Sequence, residues 1–182
     1  EHPDYSYLAA RIKANALHKQ TPGFIIATKN LFEDGLLKES YYKKVIENAE
    51  EIESIIDYDQ DYHFDYFALT TLTRAYLLRF ENKTIERPQD LWMRVALTVS
   101  CDEFDYNKVK NTYMALSNGL YTHATPTLFN SGLKMQQLSS CFLIGMEDDS
   151  IEGIFNTIKD CALISKTAGG IGLHAHNIRA SG

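Results

Sequence analysis

The sequence has few cysteines and prolines, no long apolar run and no excess of positive charge. Its 182 residues include three cysteines, four prolines and one tryptophan, and its net charge is −6. Three cysteines without a Cys-x-x-Cys pair fit a reducing, cytoplasmic setting better than a disulfide framework. The negative charge argues against a general nucleic-acid-binding surface. No segment is apolar over the length that a membrane-spanning helix needs, and no signal peptide is visible.

The first two thirds of the chain show the spacing of apolar residues that is typical of helices. Six helices are predicted, namely Asp4–Lys19, Phe24–Asp34, Lys38–Ile56, Leu69–Leu78, a helix that Pro88 opens, and a helix over Val109–Leu120. Tyr5, Leu8 and Ile12 mark the apolar face of the first helix. A small β-hairpin is predicted over Arg79–Glu86. The Thr122–Gly132 segment is hydroxyl-rich and non-periodic, which predicts a loop with extended pieces.

A strand-like segment in the last third of the chain begins with a cysteine. Cys141–Ile144 is a short apolar run bounded by polar residues and glycine. Such a run predicts a strand buried on both faces, as in a parallel sheet covered by helices. Ser139 and Ser140 directly precede the thiol, and a helix is predicted over Ser150–Ser165. A free cysteine on this strand is either an inert core side chain or a functional thiol, and the pattern alone leaves both interpretations open.

A glycine-rich segment, Lys166–Gly172, follows that helix. Its Lys-Thr pair and glycines suit a loop that cradles a phosphate, and they also suit an ordinary helix end. The segment is not a Walker loop, in which the glycines precede the lysine, and it is not a dinucleotide fingerprint, which follows a strand. Leu173–Arg179 alternates as a strand does, with His174 and His176 on one face. Two histidines without further ligands do not define a metal site, so no metal is expected.

Taken together, these segments resemble the large, catalytic subunit of class I ribonucleotide reductase in its eukaryotic form. The most specific matches are Thr122–Asn130, Gln137–Leu143, Asp148–Ile154 and Cys161–Gly172, and looser matches cover the rest of the chain in the same order. The resemblance implies a ten-stranded α/β barrel preceded by a helical domain, often with an N-terminal cone that binds ATP or dATP. Residues 1–120 are then mostly the helical domain, and residues 121–182 begin the barrel. We expect a mostly α-helical fragment that carries the first barrel strands at its C-terminal end and lacks most of the cone.

The resemblance also implies an activity and its partners. The family reduces ribonucleoside diphosphates to deoxyribonucleoside diphosphates for DNA synthesis, by radical chemistry with a cysteine dithiol as the reductant. A metal-containing small subunit supplies the radical, thioredoxin or glutaredoxin renews the dithiol, and Mg-bound ATP or dNTP effectors regulate a homodimer or higher oligomer. No cofactor is expected on this chain itself, and the fragment alone is not expected to be active. The alternative is a non-enzymatic nucleotide-binding or helical interaction module that uses Lys166–Gly172 as a phosphate loop.

Residue roles are carried over from the resemblance position by position. Cys141 matches the redox cysteine of the first barrel strand, which forms a disulfide with a second cysteine. The positions that match substrate-binding residues are Thr125, Ser140 and Gly170. The positions that match the effector site are Asp149, Ser150, Ile151, Lys166 and Arg179, and Lys19 matches a lysine that contacts the nucleotide of the cone.

Some of these positions also have plain structural interpretations. Asp149 suits a helix cap with Glu152 three residues later, and Lys19 suits the negative end of a helix dipole. Cys101 and Cys161 are expected to be buried structural thiols. In the family, the helix after Ser150 packs against its copy in a dimer. The chain shows this only as an apolar stripe at helical spacing, formed by Ile151, Ile154, Phe155 and Ile158.

Overall fold

The computed structural model describes His2, residues 4–100 and residues 102–180. The chain divides into two compact units, which we call the helical unit (Glu1–Thr122 and Leu128–Gln136) and the sheet unit (His123–Thr127 and Gln137–Gly182). The domain boundary between residues 120 and 121 stays a prediction, because compactness does not by itself define a natural domain. In the described part of the chain, no helix has both the length and the apolar character needed to cross a membrane.

The helical unit is built from short helices and one hairpin. Its α-helices are α1 (Asp4–Gln20), α2 (Phe24–Glu33), α3 (Glu39–Glu47), α4 (Ala49–Ile55), α5 (Tyr66–Thr71), α6 (Pro88–Val99) and α7 (Tyr106–Ser117). A 3-10 helix, Tyr58–His63, precedes α5, and a π-helical turn, Leu72–Tyr76, extends it. Strands β1 (Arg79–Phe80) and β2 (Lys83–Thr84) pair antiparallel across the predicted turn, where Glu81 and Asn82 both have positive φ. The helix predicted over residues 69–78 thus begins earlier, at Tyr66, and its last turn, Leu72–Tyr76, is π-helical.

The first helix forms as predicted, but the opposite side of it is buried. The buried residues of α1 are Ala10, Ala14 and Leu17, whereas Tyr5 and Ile12 are largely exposed. The predicted apolar face is therefore wrong. The small alanine side chains allow close approach to the neighbouring elements, and the larger apolar residues are left on the outside. Apolar spacing predicted the helix correctly and its buried face incorrectly, because two faces of α1 carry apolar residues.

The predicted helix over residues 38–56 is two helices, α3 and α4, which are separated at Asn48. The backbone of Asn48 leaves the helical region with φ −121° and ψ 26°. Its side-chain amide donates a hydrogen bond to the carbonyl of Lys44 at 2.8 Å. Asparagine side chains compete with the backbone for such carbonyls, which ends the helix here.

Helix α6 lies at the centre of the helical unit and is buried on nearly every side. Pro88 opens it, as predicted from its preference for the first helical turn. Arg94 is fully buried, and its guanidinium pairs with Glu86 at 2.6 Å and donates to the carbonyl of Ser131 at 2.8 Å. The pair satisfies two charges inside the core, which buried charges require. The apolar part of this core is formed by residues of α1 to α7 together with Leu37, Leu77, Ile85 and Leu128.

The sheet unit is a strand-helix-strand arrangement. Strand β3 (Cys141–Gly145) pairs in parallel with β4 (Gly170–His174), and α9 (Ile151–Lys166) connects them. The predicted strand at Cys141 and the predicted helix after Ser150 are confirmed. The predicted strand over residues 173–179 is wrong, because β4 begins at Gly170 and ends at His174. The last three residues of the glycine-rich segment are therefore strand, while Lys166 ends α9 and residues 167–169 form the turn between them.

The hydroxyl-rich segment predicted as a loop contains a short helix, α8 (Thr125–Asn130). Pro126 lies at the second position of α8, where its missing N–H costs no helical hydrogen bond. This prediction failed because a helix of six residues is too short for an apolar repeat to appear. Thr125, one of the residues matched to substrate binding, is the first residue of α8.

The strand that begins at Cys141 is not buried on both faces. Phe142 and Ile144 are half-buried, and Phe142 shares its surroundings with Ile164 of α9. On the other face Cys141 and Gly145 are exposed, and Leu143 is 94% exposed. Side chains alternate along a strand, and among the described residues of the sheet unit only α9 covers a face. The prediction of a doubly buried strand is therefore wrong for the chain as described.

Candidate redox and effector sites

Three of the predicted site residues meet where β3 and β4 begin. Cys141 stands opposite Gly170 in the parallel register, and the N–H of Gly170 donates to the carbonyl of Ser140 at 2.7 Å. A methyl group added to Gly170 would lie 3.5 Å from the Cys141 Sγ and 3.3 Å from the Ser140 carbonyl. Glycine thus keeps the backbone beside the thiol uncovered. A ligand can approach both the thiol and the backbone of β4 here.

The thiol of Cys141 is exposed rather than enclosed in the core. A thiol that exchanges electrons with a second thiol needs this access, whereas a structural thiol is normally buried. Cys161 lies on α9 and is half-buried, and Cys101 lies outside the described residues. Because the apolar Leu143 on the same face of β3 is also exposed, the exposure of Cys141 is a property of this uncovered face and fits both the redox and the structural interpretation.

Residues that sequence reasoning did not single out hold the segment that leads to Cys141. Thr127 Oγ1 donates to the carbonyl of Leu138 at 2.9 Å. The N–H of Ser139 donates to the side-chain oxygen of Gln137, whose amide nitrogen in turn reaches Thr167 Oγ1 at 3.5 Å. No sequence pattern marks such contacts, because a hydroxyl or amide that bonds to backbone looks like any other polar residue.

The predicted effector residues at the start of α9 lie close together. Asp149 Oδ2 is 3.3 Å from Arg179 Nε and accepts the Arg179 backbone N–H at 3.4 Å. Ser150 caps α9 and accepts a hydrogen bond from the N–H of Gly153 at 3.0 Å. The cap interpretation of Asp149 is therefore wrong, since Ser150 fills that place. Asp149 is left with one cationic partner and with oxygen lone pairs for further donors.

Lys166 is not part of this cluster. It is the last residue of α9, fifteen residues after Ile151. At 1.5 Å per residue the two backbones are roughly 22 Å apart. The structure thus brings together Asp149, Ser150, Ile151 and Arg179, and it places Lys166 at the far end of the helix.

One side of α9 remains exposed along its length. Ile151 is 79% exposed, and Phe155 and Ile158, which follow at helical spacing, are also exposed. Ile154 is half-buried, so it does not share the exposure of the other three. We call Ile151, Phe155 and Ile158 the α9 stripe. Exposed large apolar residues in a row mark a surface suited to contact with another protein surface.

Lys19 lies in the helical unit, in the last turn of α1, and is exposed. A cation in this position interacts favourably with the helix dipole. No contact in the described structure distinguishes this role from nucleotide binding, so its match to the cone site stays a prediction.

Most of the titratable groups with shifted pKa values lie in the helical unit, whereas in the sheet unit burial lowers the pKa of His123. Burial raises the pKa of Asp90 to about 7, although Tyr58 and the Arg87 N–H donate to its carboxylate. Burial also raises the pKa of Asp61, which accepts from His18 at 2.7 Å. Each carboxylate has hydrogen-bonding partners, so these groups tie helices together and do not form an open reaction site.

The histidines predicted to share a face do lie together. The rings of His174 and His176 are stacked with centroids 4.0 Å apart, His174 at the end of β4 and His176 in the turn that follows. Across the described residues, no group of three or more His, Cys, Asp or Glu side chains is placed to hold a metal ion.

Comparison with known proteins gives consistent matches along the chain. Residues 62–136 match the family model described as ribonucleotide reductase, all-alpha domain, and residues 139–182 match the one described as ribonucleotide reductase, barrel domain. A ribonucleoside-diphosphate reductase large subunit from Arabidopsis thaliana is 47% identical over 191 aligned positions, with 100% of this chain and 23% of the relative covered. Large chain 2 of the corresponding reductase from Saccharomyces cerevisiae is 48% identical, with 100% and 22% covered.

The chain spans less than a quarter of the length of these curated relatives. The two family models follow one another in the same order as the helical and sheet units, and they confirm the predicted fold of a helical domain followed by the start of a barrel. The chain therefore belongs to the ribonucleotide reductase large-subunit family.

Proposed function

We propose that this chain is part of a catalytic large subunit that reduces ribonucleoside diphosphates to deoxyribonucleoside diphosphates. The observation that carries the proposal is the strand register that sets the thiol of Cys141 opposite Gly170, with Ser140 directly beside it. Removing a sugar hydroxyl as water takes two electrons and two protons. Two thiols supply both when they become a disulfide. Cys141 provides one thiol, and the second lies outside the 182 residues.

The substrate is held near this thiol by hydroxyl groups and backbone. Thr125 and Ser140 supply hydroxyl donors for the diphosphate oxygens, which are strong acceptors. The N–H of Gly170 already donates to the Ser140 carbonyl, so this glycine contributes close approach and not a hydrogen bond. Neutral donors suit a site that also has to conduct radical chemistry. The radical comes from a metal-containing small subunit, and thioredoxin or glutaredoxin renews the dithiol in the cytoplasm.

The effector site binds a Mg-bound nucleoside triphosphate at the start of α9. The Asp149 carboxylate accepts hydrogen bonds from a sugar hydroxyl, and Arg179 pairs with phosphate oxygens. Ser150 and Ile151 border the same place. Because Lys166 lies at the other end of the helix, the Lys166 of a second copy is the one that completes the site. The α9 stripe is the surface through which the two copies pack.

The effector proposal is tested by equilibrium binding of labelled dTTP to full-length protein. Lys166→Ala is expected to weaken binding, because the triphosphate loses a cationic partner. Lys159→Ala, at another exposed lysine of α9, is the matched control and is expected to bind normally. Unchanged affinity in Lys166→Ala would contradict the assignment of this lysine.

A mixing experiment tests whether Lys166 acts from the second copy. Asp149→Ala and Lys166→Ala subunits are each expected to bind dTTP weakly. A mixed dimer has one site with both residues intact if they come from different copies, and none if they come from the same copy. Recovery of tight binding on mixing supports the proposal, whereas a mixture as weak as its components contradicts it. Sedimentation with and without dTTP checks that dimers form.

A further inference from the structure

A buried threonine connects the two segments that carry the substrate hydroxyls. Thr127 is only 7% exposed, and its Oγ1 donates to the Leu138 carbonyl at 2.9 Å. Thr127 follows Thr125 by two residues on α8, and Leu138 precedes Ser140 by two. One hydrogen bond therefore joins the start of α8 to the approach to Ser140 and the thiol.

We infer that Thr127 is a positioning residue for the diphosphate substrate, acting through Thr125 and Ser140. The inference rests on the proposed function, because it concerns how the substrate hydroxyls are held. The contact that Thr127 makes is with the Leu138 carbonyl, two residues before Ser140.

The segment that Thr127 holds is irregular and is fixed by individual hydrogen bonds, among them those of Gln137 with Ser139 and Thr167. Residues 136–139 have no regular secondary structure, so their backbone groups depend on side-chain partners and single contacts. At its far end, the Ser140 carbonyl accepts the Gly170 N–H at 2.7 Å. At its near end, the Thr127 hydroxyl holds the Leu138 carbonyl. These two hydrogen bonds together fix the direction of the backbone at Ser140 and Cys141.

The same bond ties the helix that carries Thr125 to the segment before Ser140. Helix α8 has six residues, and isolated helices of this length are unstable in water. Anchoring Thr127 to the Leu138 carbonyl fixes the first turn of α8 against the Ser140 segment. Without the hydroxyl, the Thr125 and Ser140 side chains are expected to lose their fixed spacing. A displacement of about 1 Å in such a pair is enough to weaken substrate positioning strongly.

The experiment separates the hydroxyl of Thr127 from its shape. Thr127→Val keeps the branched shape and removes the donor, whereas Thr127→Ser keeps the donor and removes a methyl group. Full-length variants are assayed with the small subunit, an external dithiol and a ribonucleoside diphosphate, and KM and kcat are obtained per folded molecule. The valine variant is expected to raise KM about tenfold, since misplaced binding groups weaken substrate capture. The serine variant is expected to stay close to wild type.

A structural role alone would give a different result. Thr127→Val would then lower thermal stability and leave KM per folded molecule unchanged, which would overturn the inference. If the valine variant does not accumulate as folded protein, Thr127→Ala, which introduces no larger group, is measured against the same criteria.

A double substitution tests whether Thr127 acts through Thr125. Thr125→Ala is expected to raise KM, and adding Thr127→Val to it is expected to raise KM less than it does in wild type. Full additivity of the two effects would overturn the inference, because independent residues add. If Thr125→Ala and Ser140→Ala both leave KM unchanged, the proposed substrate site itself fails. A normal KM in Thr127→Val, with a raised KM in Thr125→Ala or Ser140→Ala, instead overturns only the inference about Thr127.

Discussion

The helical unit and the sheet unit differ in how completely they bury their apolar residues. In the helical unit, ten of the twelve residues of α6 are buried, including the ion-paired Arg94. In the sheet unit, α9 is longer but buries only Gly153 and Thr157, while Leu143 on β3 is almost wholly exposed. An apolar residue is buried only where another element covers it. The helical unit contains its own covering elements, and the sheet unit has a cover for one face of its strands.

The largest expected effect comes from opening the closed core at Arg94. Arg94→Ala leaves the buried Glu86 carboxylate without its charged partner, which is expected to cost about 3–5 kcal/mol of stability. Urea unfolding followed by the fluorescence of Trp92, the one tryptophan and a residue of α6, reports this unit. The control is Lys43→Ala, which removes an exposed ion pair with Glu39 and is expected to change stability little, because water and salt screen such a pair. Similar losses of unfolding free energy in Arg94→Ala and Lys43→Ala would contradict the claim that the helical unit has a closed core around Arg94.

The same core is expected to make stability depend on pH. Burial raises the pKa of Asp90 from 3.8 to about 7, so the folded state favours its protonated form. This contribution is complete below the unfolded pKa and is lost as pH rises through the folded pKa. The free energy of unfolding should therefore fall between about pH 4 and pH 7.

The Asp90→Asn variant tests the source of this pH dependence. Asparagine cannot ionise, so the slope of unfolding free energy against pH should become shallower. Burial also raises the pKa of Asp61, which leaves a residual slope of the same sign. Urea titrations at several pH values measure the slope for wild type and for Asp90→Asn. A slope in Asp90→Asn as steep as that of wild type would assign the pH dependence to other groups.

A smaller effect is expected where the sheet unit is tightly packed. A methyl group added at Gly153 would lie 2.7 Å from the backbone nitrogen of Asp148, which cannot move aside cheaply. Gly153→Ala is expected to cost about 1–3 kcal/mol through overpacking. Gly145→Ala is the matched control, because nothing lies within 4 Å of the added group. Hydrogen exchange of the amides of β3 and β4 is measured in both variants. Equal protection of these amides in the two variants would show that the start of α9 is not tightly packed.

The smallest effect is expected at Leu143. With this side chain 94% exposed, Leu143→Ala in the 182-residue chain should change stability by less than about 0.5 kcal/mol. Ile52→Ala, at a fully buried position of α4, should cost about 2–5 kcal/mol. Thermal unfolding of the two variants compares an open face with a closed core. A large loss in Leu143→Ala would show that the face is covered.

Much of the fold was predictable because the signals were local. Helix ends at Gly35 and Gly119 and the turn at Glu81–Asn82 depend on backbone preferences of single residues. The buried face of α1 and the exposure of Leu143 were not predictable, because burial depends on which element packs nearby. For the same reason, the hydrogen bond of Thr127 to Leu138 could not be predicted from the sequence.

The predicted site residues had a different basis. Their roles came from the family resemblance, and the structure then showed which of them lie together. Cys141, Ser140 and Gly170 meet at one end of the strand pair, as a shared site requires. Lys166 is at the far end of α9 from Asp149, a separation that the helix length implies once the helix bounds are known.

The most direct test of the account is the replacement of Cys141 by serine in full-length protein. Deoxynucleotide formation is followed over many turnovers with the small subunit and an external dithiol, and thermal stability is measured in parallel. Cys161→Ser, at a half-buried thiol of α9, is the control and should retain turnover. Cys141→Ser should bind substrate and remain folded but lose dithiol-dependent turnover, because a serine hydroxyl cannot form a disulfide. Lower stability with normal turnover per folded molecule would contradict the account and make Cys141 a structural residue.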